Sequence, residues 1–393
     1  MTQSYENTDA WHEVVDSLDR NLGWHWLPEV SHWVIEQAQT IQQIAAPTFQ
    51  EDARAAHVAD VFRELGLRDV DIDEAFNVYG RLPGKREGRG LMLSAHTDTV
   101  FPAETDLSLK ARGRLIYGPG LGDNSVGVAG MLGIAAALRH LQMQPPCDLW
   151  FVASSREEGL GDLGGMKAAF ARLRDHIYAV VNIEGLALGY IYHAGIAVRR
   201  LRIIAEADGG HSWLHYGRAS AIHGLVELGS HILAIEPPLS PRTTYNIGLI
   251  SGGHSINSIA TRAEMWLDMR SEHPDTLQAL EDRVRECIEA QQRNGLRIET
   301  ELVGDRPAGS IPPEHPLVQM SLAALERIGL SGSLETGSTD GNVPLAANYP
   351  TVTVGVTRGG NAHRLDEYME SEPVQAGMRQ LVLLTLAAAD WQP

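Results

Sequence analysis

The feature that most constrains the fold is an alternation of short apolar runs with helical segments, interrupted once in the middle of the chain. Runs typical of buried strands lie at Leu91–Ala95, Asp148–Ala153 and Tyr178–Ile183. Segments with helical spacing of apolar residues, Asp52–Leu67 and Val126–Leu141, lie between or before them. Alternation of this kind predicts an α/β fold with a mostly parallel sheet and helices on both faces.

The pattern changes near Gly195 and returns after Arg306. Between them the predicted elements follow the order β-α-β-β-α-β, which is that of a ferredoxin-like α+β sandwich. A strand at Thr351–Val356 and a long helix at Glu372–Asp390 then resume the first pattern. We therefore predict one domain formed by residues 1–194 and 307–393, into which a second domain of residues 195–306 is inserted.

Composition excludes several classes of function. The 393 residues carry a formal net charge of −18 without a compensating block of Lys or Arg, which disfavours nucleic acids and anionic membranes as partners. The two cysteines, Cys147 and Cys287, are too few for a thiolate zinc site. Met1–Ala10 lacks a signal-peptide pattern, and no long uninterrupted apolar run predicts a membrane span. We expect a soluble cytoplasmic protein.

Histidine and carboxylate residues follow the predicted strands of the first domain. In an open α/β sheet, ligands bind beyond the carboxyl ends of the strands, so side chains at these positions are expected to converge. One further acid lies in a glycine-flanked loop at a helix start. The residues are His96, Asp98, Asp123, Glu157, Glu158, Glu184 and His363.

These residue types indicate a site for two divalent cations. Imidazole and carboxylate ligands suit zinc, cobalt or manganese. A carboxylate that bridges two ions holds them about 3.5–4 Å apart, which suits hydrolysis by a shared hydroxide. Adjacent acids such as Glu157 and Glu158 can divide the tasks of metal ligand and proton acceptor. Asp98, two residues after His96, is placed to orient that imidazole.

At these residues the sequence resembles the zinc-dependent family that includes peptidase T, glutamate carboxypeptidase, aminoacylase, acetylornithine deacetylase and succinyl-diaminopimelate desuccinylase. The resemblance covers nearly the whole chain after about residue 40, and the motifs occur in the family's order. They are SAHTDTV at Ser94–Val100, GPGLGDNSVG at Gly118–Gly127, REEGLGDLGG at Arg156–Gly165, IEG at Ile183–Gly185 and GGNAHRLDEYM at Gly359–Met369.

The resemblance implies a ligand set for two metal ions, zinc being expected and cobalt or manganese being alternatives. Asp123 would bridge the two ions, and the peptide between Asp123 and Asn124 would be cis. Many relatives have a second acid where this chain has Asn124. Glu157 would be the general base and later the general acid. The ligands of one ion would be His96, Asp123 and Glu184, and those of the other Asp123, Glu158 and His363.

The inserted domain also resembles the family's lid. The segment Ala207–Ser212 matches a motif whose histidine, here His211, stabilises the oxyanion and comes from the partner subunit in dimeric relatives. Three further residues, Asn257, Arg270 and Arg306, fall where glutamate carboxypeptidases hold the substrate carboxylate, a role that suits Arg. Ala260 replaces a Pro that is common in relatives. A solvated salt bridge to Glu264 or Asp268 is an equally reasonable interpretation of Arg270.

These features predict a metal-dependent hydrolase that cleaves an amide bond of a short peptide, as an exopeptidase, a di- or tripeptidase or a carboxypeptidase. A hydroxide held by both ions would attack the carbonyl, with Glu157 moving the proton. An N-acyl-amino-acid deacylase is the alternative within the class, and a non-catalytic binding protein on the same fold is the alternative outside it. A phosphoesterase fits the acidic charge poorly. A homodimer through the inserted domain is the family's common arrangement.

Overall fold

The computed structural model describes residues 8–391 and divides the chain into two compact units. The first comprises Met1–Gly195 with Gly309–Pro393, and the second is Ile196–Ala308. Both boundaries lie slightly beyond the positions suggested by the sequence. The reason is that the Gly195 N–H donates a hydrogen bond of 2.8 Å to the Gly309 carbonyl, which keeps both glycines in the first unit.

The first unit supplies the elements before and after the insertion. Before it come α1 (Thr8–Asn21), α2 (Leu27–Gln42), α3 (Asp52–Glu64), β1 (Arg68–Ile72), β2 (Val78–Leu82), β3 (Gly90–His96), β4 (Lys110–Arg112), β5 (Leu115–Tyr117), α4 (Val126–His140), β6 (Leu149–Ser154), α5 (Gly164–Leu173), β7 (Ile177–Ile183) and β8 (Tyr190–Gly195).

The second unit and the return of the chain complete the element list. The second unit contains β9 (Ala197–Ala207), β10 (Gly210–His211), α6 (Ala221–Leu233), β11 (Thr243–Gly252), β12 (Ser258–Ile259), β13 (Arg262–Ser271), α7 (Pro274–Gln291) and β14 (Leu296–Arg306). The first unit then resumes with α8 (Pro316–Arg327), β15 (Ser333–Gly337), α9 (Asn342–Ala346), β16 (Thr351–Val354), β17 (Gly359–Gly360), β18 (Tyr368–Glu370) and α10 (Val374–Asp390).

An eight-stranded sheet in the order β1-β2-β6-β3-β7-β16-β8-β15 forms the centre of the first unit. Its middle strands β6, β3, β7 and β16 are parallel, so the predicted mostly parallel sheet is confirmed. Every residue of β3 and β7 is buried, because helices cover both faces. Alternate residues of β3 show this: Leu91 and Leu93 belong to the larger core cluster, and Met92 packs with Met166 and Phe170 of α5.

The second unit has the predicted ferredoxin-like element order. Its antiparallel sheet runs β11-β13-β9-β14, and α6 and α7 pack on one face. The core between them includes Leu201 and Met265 from the sheet and Leu225 and Val284 from the helices. Alternation of apolar and charged residues along β13 explains why one face is buried and the other is polar.

One helical run, Leu121–His140, is long and apolar enough to cross a membrane by length and composition alone. Within the protein, 89% of its apolar window is buried. It contains α4, which packs against α2, α10 and the central sheet. The run is therefore apolar because it lies in the core of the first unit.

Candidate metal centre

Five separate segments of the first unit bring the predicted ligands to one edge of the sheet. Strand β3 ends at His96, which pairs in register with Ser154 at the end of β6, and Glu158 follows in the next loop. Glu184 directly follows β7. Asp123 lies in an irregular helical turn, Leu121–Ser125, just before α4, and His363 lies between β17 and β18. Because parallel strands end together, residues far apart in sequence become neighbours.

The nitrogen and oxygen atoms form two sets that share Asp123. His96 Nε2 lies 3.1 Å from Asp123 Oδ1 and 3.5 Å from Glu184 Oε2. His363 Nε2 lies 3.0 Å from Asp123 Oδ2 and 3.0 Å from Glu158 Oε1. Each oxygen of Asp123 therefore serves a different set.

The spacing within each set fits a divalent transition metal. Ligand atoms about 2.0–2.1 Å from a tetrahedral ion are separated from each other by about 3.3 Å, which is close to the distances found here. Imidazole nitrogens with carboxylate oxygens suit zinc, cobalt and manganese. Each set offers three such ligand atoms, all lying within 4.8 Å of one another. Both sets thus fit the ions that the sequence predicts.

The electrostatics of the cluster favour bound cations. Burial alone would lower the pKa of His96, but Glu184, Asp123 and Asp98 raise that pKa well above its ordinary value. Hydrogen bonds to Asp123 and Glu158 raise the pKa of His363 to about 10. The negative charge that attracts protons to these imidazoles also attracts divalent cations, which compete for the same nitrogen lone pairs.

The two positions differ in access. The His96 side chain is only 2% exposed, whereas the His363 side chain is 53% exposed. The His96 imidazole is therefore enclosed by protein and the His363 imidazole reaches solvent, whereas Asp123 and Glu184 are partly exposed.

Asp98 connects the first ligand to the loop that carries the two acids. Its carboxylate is fully buried, and Oδ1 lies 3.5 Å from His96 Nδ1. The same oxygen accepts a hydrogen bond of 2.9 Å from the Glu157 N–H. Oδ2 accepts hydrogen bonds from the Glu158 N–H at 3.0 Å and the Thr48 hydroxyl at 2.8 Å. Asp98 thus orients an imidazole and fixes the backbone of Glu157 and Glu158 together.

Glu157 lies beside the donor sets. One atom from each of His96, Glu157 and Glu158 lies within 4.8 Å of the others, and both acids are buried. The loop is held further by Glu51, whose Oε1 accepts a hydrogen bond of 3.0 Å from the Arg156 N–H. A water at the centre could therefore transfer a proton to the Glu157 carboxylate.

The turn that carries Asp123 is tightly packed. The peptide between Asp123 and Asn124 is cis. The Asn124 side chain donates to the Ile183 carbonyl at 2.8 Å and accepts from the Gly185 N–H at 2.8 Å. These bonds tie the turn to the end of β7, next to Glu184. A Cβ atom on Gly127 would lie 1.8 Å from Asn124 Oδ1, so only glycine fits there.

Three buried carboxylates near the centre were not assigned roles from the sequence. They are Glu51, Asp340 and Glu367, all fully buried. Burial raises the pKa of Asp340 to about 7, and its Oδ2 accepts a hydrogen bond of 2.5 Å from the Ser154 hydroxyl. Glu367 accepts backbone hydrogen bonds from the turn of Asp123. Glu367 lies in the motif Gly359–Met369, but its contacts, like those of Glu51 and Asp340, depend on tertiary structure.

The predicted oxyanion residue His211 and the predicted substrate-binding residues Asn257, Arg270 and Arg306 all lie in the second unit, and the segments of His211 and Asn257 are neighbours. The ribbon of β10 and β12 places His211 opposite Ser258, and the Ser212 N–H donates to the Asn257 carbonyl at 3.0 Å. His211 is exposed, and its Nδ1 accepts a hydrogen bond of 3.2 Å from the Trp213 N–H.

The two arginines are not equivalent. Arg270 is exposed on the polar face of β13 and pairs with Asp268 at 2.7 Å, which matches the solvated salt bridge considered from the sequence. Arg306 ends β14 and is buried. A role for Arg270, Arg306, Asn257 or His211 at the metal centre stays a prediction.

Comparison with known proteins identifies relatives over most of the chain. The profile of peptidase family M20/M25/M40 matches residues 92–387. An acetylornithine deacetylase of Edwardsiella ictaluri is 28% identical over 349 residues, which are 81% of this chain and 87% of the relative. A probable carboxypeptidase of Arthroderma otae is 28% identical over 263 residues, or 60% of this chain, and the match spans 55% of that relative.

A solved structure shares the fold. A tripeptidase of Staphylococcus aureus subsp. aureus Mu50 superposes with a TM-score of 0.77 at 21% sequence identity, covering 92% of this chain and 99% of that one. At this level of identity the likeness concerns the arrangement of helices and strands.

Proposed function

The chain belongs to peptidase family M20/M25/M40, whose members hydrolyse amide bonds, and from this premise we propose that it cleaves a short peptide with a free carboxylate, with Glu157 as the general base. The observation that carries the proposal is the pair of donor sets that share Asp123, with Glu157 beside them. The exposed His363 side leaves room for a substrate.

The residues of the first unit have distinct tasks in this proposal. His96 and Glu184 would hold one divalent ion, Glu158 and His363 the other, and Asp123 both. When bound, the ions would supply the Lewis acidity that activates a carbonyl and a water for hydrolysis. Glu157 accepts the proton of the attacking water and passes it to the leaving amine. Asp98 keeps Glu157 and His96 in the orientation that these steps require.

The proposed tasks of the second unit rest on the resemblance and on local geometry. Since His211 Nδ1 accepts a hydrogen bond from the Trp213 N–H, its Nε2 carries the proton and can donate to a developing oxyanion. We assign Asn257, Arg270 and Arg306 to the substrate carboxylate, which a guanidinium can bind bidentately.

The second unit is also the proposed surface for a homodimer. Its edge strand β11 exposes Leu249 and Ile250, which supports pairing with a second copy. Sedimentation measurements at micromolar concentration test this proposal.

A second candidate activity is the removal of an acyl group from an N-acyl amino acid. It is favoured by the acetylornithine deacetylase, which matches 81% of this chain. Both activities use the same chemistry at the amide carbonyl and differ in what flanks it. A panel of dipeptides, tripeptides and N-acyl amino acids, each assayed with zinc, cobalt or manganese, distinguishes them by kcat/KM.

The test of the mechanism compares Glu157→Gln with Glu104→Gln, an exposed acid of the same unit. We expect Glu157→Gln to keep both metal ions and to lose about 10²–10⁴-fold in kcat, because the amide cannot accept the proton. Glu104→Gln should behave as the wild type. Full turnover by Glu157→Gln would refute the assigned base. Two bound ions in a wild type that cleaves no member of the panel would instead favour the non-catalytic binding protein.

A further inference from the structure

Glu367 is a fully buried acid that follows His363 by four residues, just before β18. Neither donor set nor the proton transfer proposed above uses it. Burying a carboxylate is costly unless hydrogen bonds or opposite charges compensate. The contacts of the Glu367 carboxylate therefore identify the groups that compensate for its burial.

The carboxylate of Glu367 accepts three backbone hydrogen bonds from the turn that carries Asp123. Oε1 accepts from the Gly122 N–H at 2.6 Å and the Asp123 N–H at 2.9 Å. Oε2 accepts from the Gly120 N–H at 3.2 Å. The main chain adds a fourth bond, from the Gly118 N–H to the Glu367 carbonyl at 2.9 Å. One side chain thus fixes most of the turn.

These donors need an acceptor for reasons of local structure. The turn precedes α4 and departs from helical backbone geometry at Asp123 and Asn124, so its N–H groups lack the regular acceptors of a helix and need others. The residue before the turn is Gly120, which has no side chain to cap them. Glu367 therefore supplies acceptors for this turn from another part of the chain.

The capped turn determines where the shared ligand points. Asp123 must direct Oδ1 to His96 and Oδ2 to His363, so a small rotation of its backbone would break one of the two sets. The bond from the Asp123 N–H to Glu367 restricts that rotation. The segment that supplies Glu367 also supplies His363, so the same contact fixes the distance between the bridging ligand and the exposed imidazole.

We propose that Glu367 is a positioning residue of the metal centre, whose carboxylate holds the 120–123 turn so that both oxygens of Asp123 reach their metal positions. This inference rests on the proposed function, because it concerns the same two ions. It assigns Glu367 no contact with either ion or with the substrate.

The test uses Glu367→Gln and Glu367→Ala, with Glu372→Gln as the matched control, because Glu372 is an exposed acid of the same segment that pairs with Arg114. Each full-length protein is stripped with a chelator and titrated with Zn²⁺ by calorimetry. A separate metal-free sample is titrated with Co²⁺, whose visible absorption spectrum reports the ligand geometry. Thermal unfolding without metal shows whether each variant is folded.

We expect Glu367→Ala to weaken the binding of at least one ion by about 10–100-fold, as is usual when a group that supports a ligand is lost. The Co²⁺ spectrum should change as well. Glu367→Gln retains an oxygen for the Gly122 and Asp123 N–H groups, but its amide nitrogen faces the Gly120 N–H, so its effect should be smaller and in the same direction. Glu372→Gln should leave affinity and spectrum unchanged.

The inference is overturned if a folded Glu367 variant binds both ions with wild-type affinity and gives the wild-type Co²⁺ spectrum. If Glu367→Ala does not fold, Glu367→Gln decides by the same criterion. A purely structural role would lower the unfolding temperature of metal-free Glu367→Gln and leave the spectrum unchanged, which also overturns the inference. A wild type that binds no ions would instead refute the proposed function.

Discussion

Replacing Asp98 by Asn tests whether one buried carboxylate holds the centre together. In this isosteric variant one of the two oxygens becomes an NH₂ group. If the NH₂ group occupied the Oδ1 position, this hydrogen-bond donor would point at both the Glu157 N–H and the His96 ring nitrogen. Facing the Oδ2 position, it would oppose only the Glu158 N–H, since the Thr48 hydroxyl can rotate and accept. We expect the second orientation, which leaves the Glu158 N–H without its acceptor.

The magnitude follows from these contacts. A lost hydrogen bond to a charged group costs about 1.5–3 kcal/mol, and the bonds that remain become neutral and weaker. Relief of repulsion between Asp98 and Glu51 offsets part of this cost. We expect a net loss of about 2–3 kcal/mol, which lowers the unfolding temperature of a domain this large by about 5 °C. Displacement of Glu158 should weaken metal binding by about 10–100-fold.

The assay is differential scanning calorimetry of metal-free protein, followed by a calorimetric metal titration. The control is Asp106→Asn, because Asp106 is an exposed acid that accepts a hydrogen bond of 3.0 Å from the Ser108 N–H. It should change stability by less than about 0.5 kcal/mol. If Asp98→Asn unfolds within a degree of the wild type and binds metal equally well, the assigned role of Asp98 is wrong.

Two further predictions concern the first unit. Burial lowers the pKa of His315 from 6.5 to about 4, so at pH values between these the unfolded chain takes up a proton that the folded chain does not. The free energy of unfolding should therefore fall as the pH drops below 6.5, by about 2 kcal/mol at pH 5. His315→Asn keeps an acceptor for the Leu317 N–H and should remove this acid sensitivity. Urea unfolding at pH 7.5 and pH 5 measures it, and an unchanged pH dependence in the variant would contradict the assignment. Gly127→Ala should displace Asn124 and lower the unfolding temperature of the metal-free protein by several degrees. The control is Gly164→Ala, whose Cβ would lie 3.6 Å from its nearest neighbour and should leave the unfolding temperature unchanged. Equal unfolding temperatures for the two variants would show that the turn can relax.

Much of this centre could be predicted from the sequence because the ligands follow strand ends. His96 and Glu184 adjoin strands whose apolar runs are unmistakable, and the strand topology alone then brings them to one edge. The inserted domain was predictable for a similar reason, since the clean alternation along β13 defines a half-buried antiparallel strand.

The remainder depends on contacts between distant segments. Strands β4 and β5 have three residues each, which is too short for an alternating pattern to be recognised, and neither is fully buried. Glu367 is separated by 244 residues from the Asp123 N–H that it accepts from, and local spacing carries no information about such a pair. The difference in exposure between the His96 and His363 side chains likewise depends on tertiary packing.

The order in which ligands occur along the chain has a consequence for biosynthesis. His363 arrives after the inserted unit has been made, in a segment flanked by β16 and α10. The last helix is buried along most of its length and completes the core around α4. A growing chain therefore cannot complete the ligand set that contains His363 until the inserted unit has been synthesised. The two ligand sets could hold their ions together only after that point in biosynthesis.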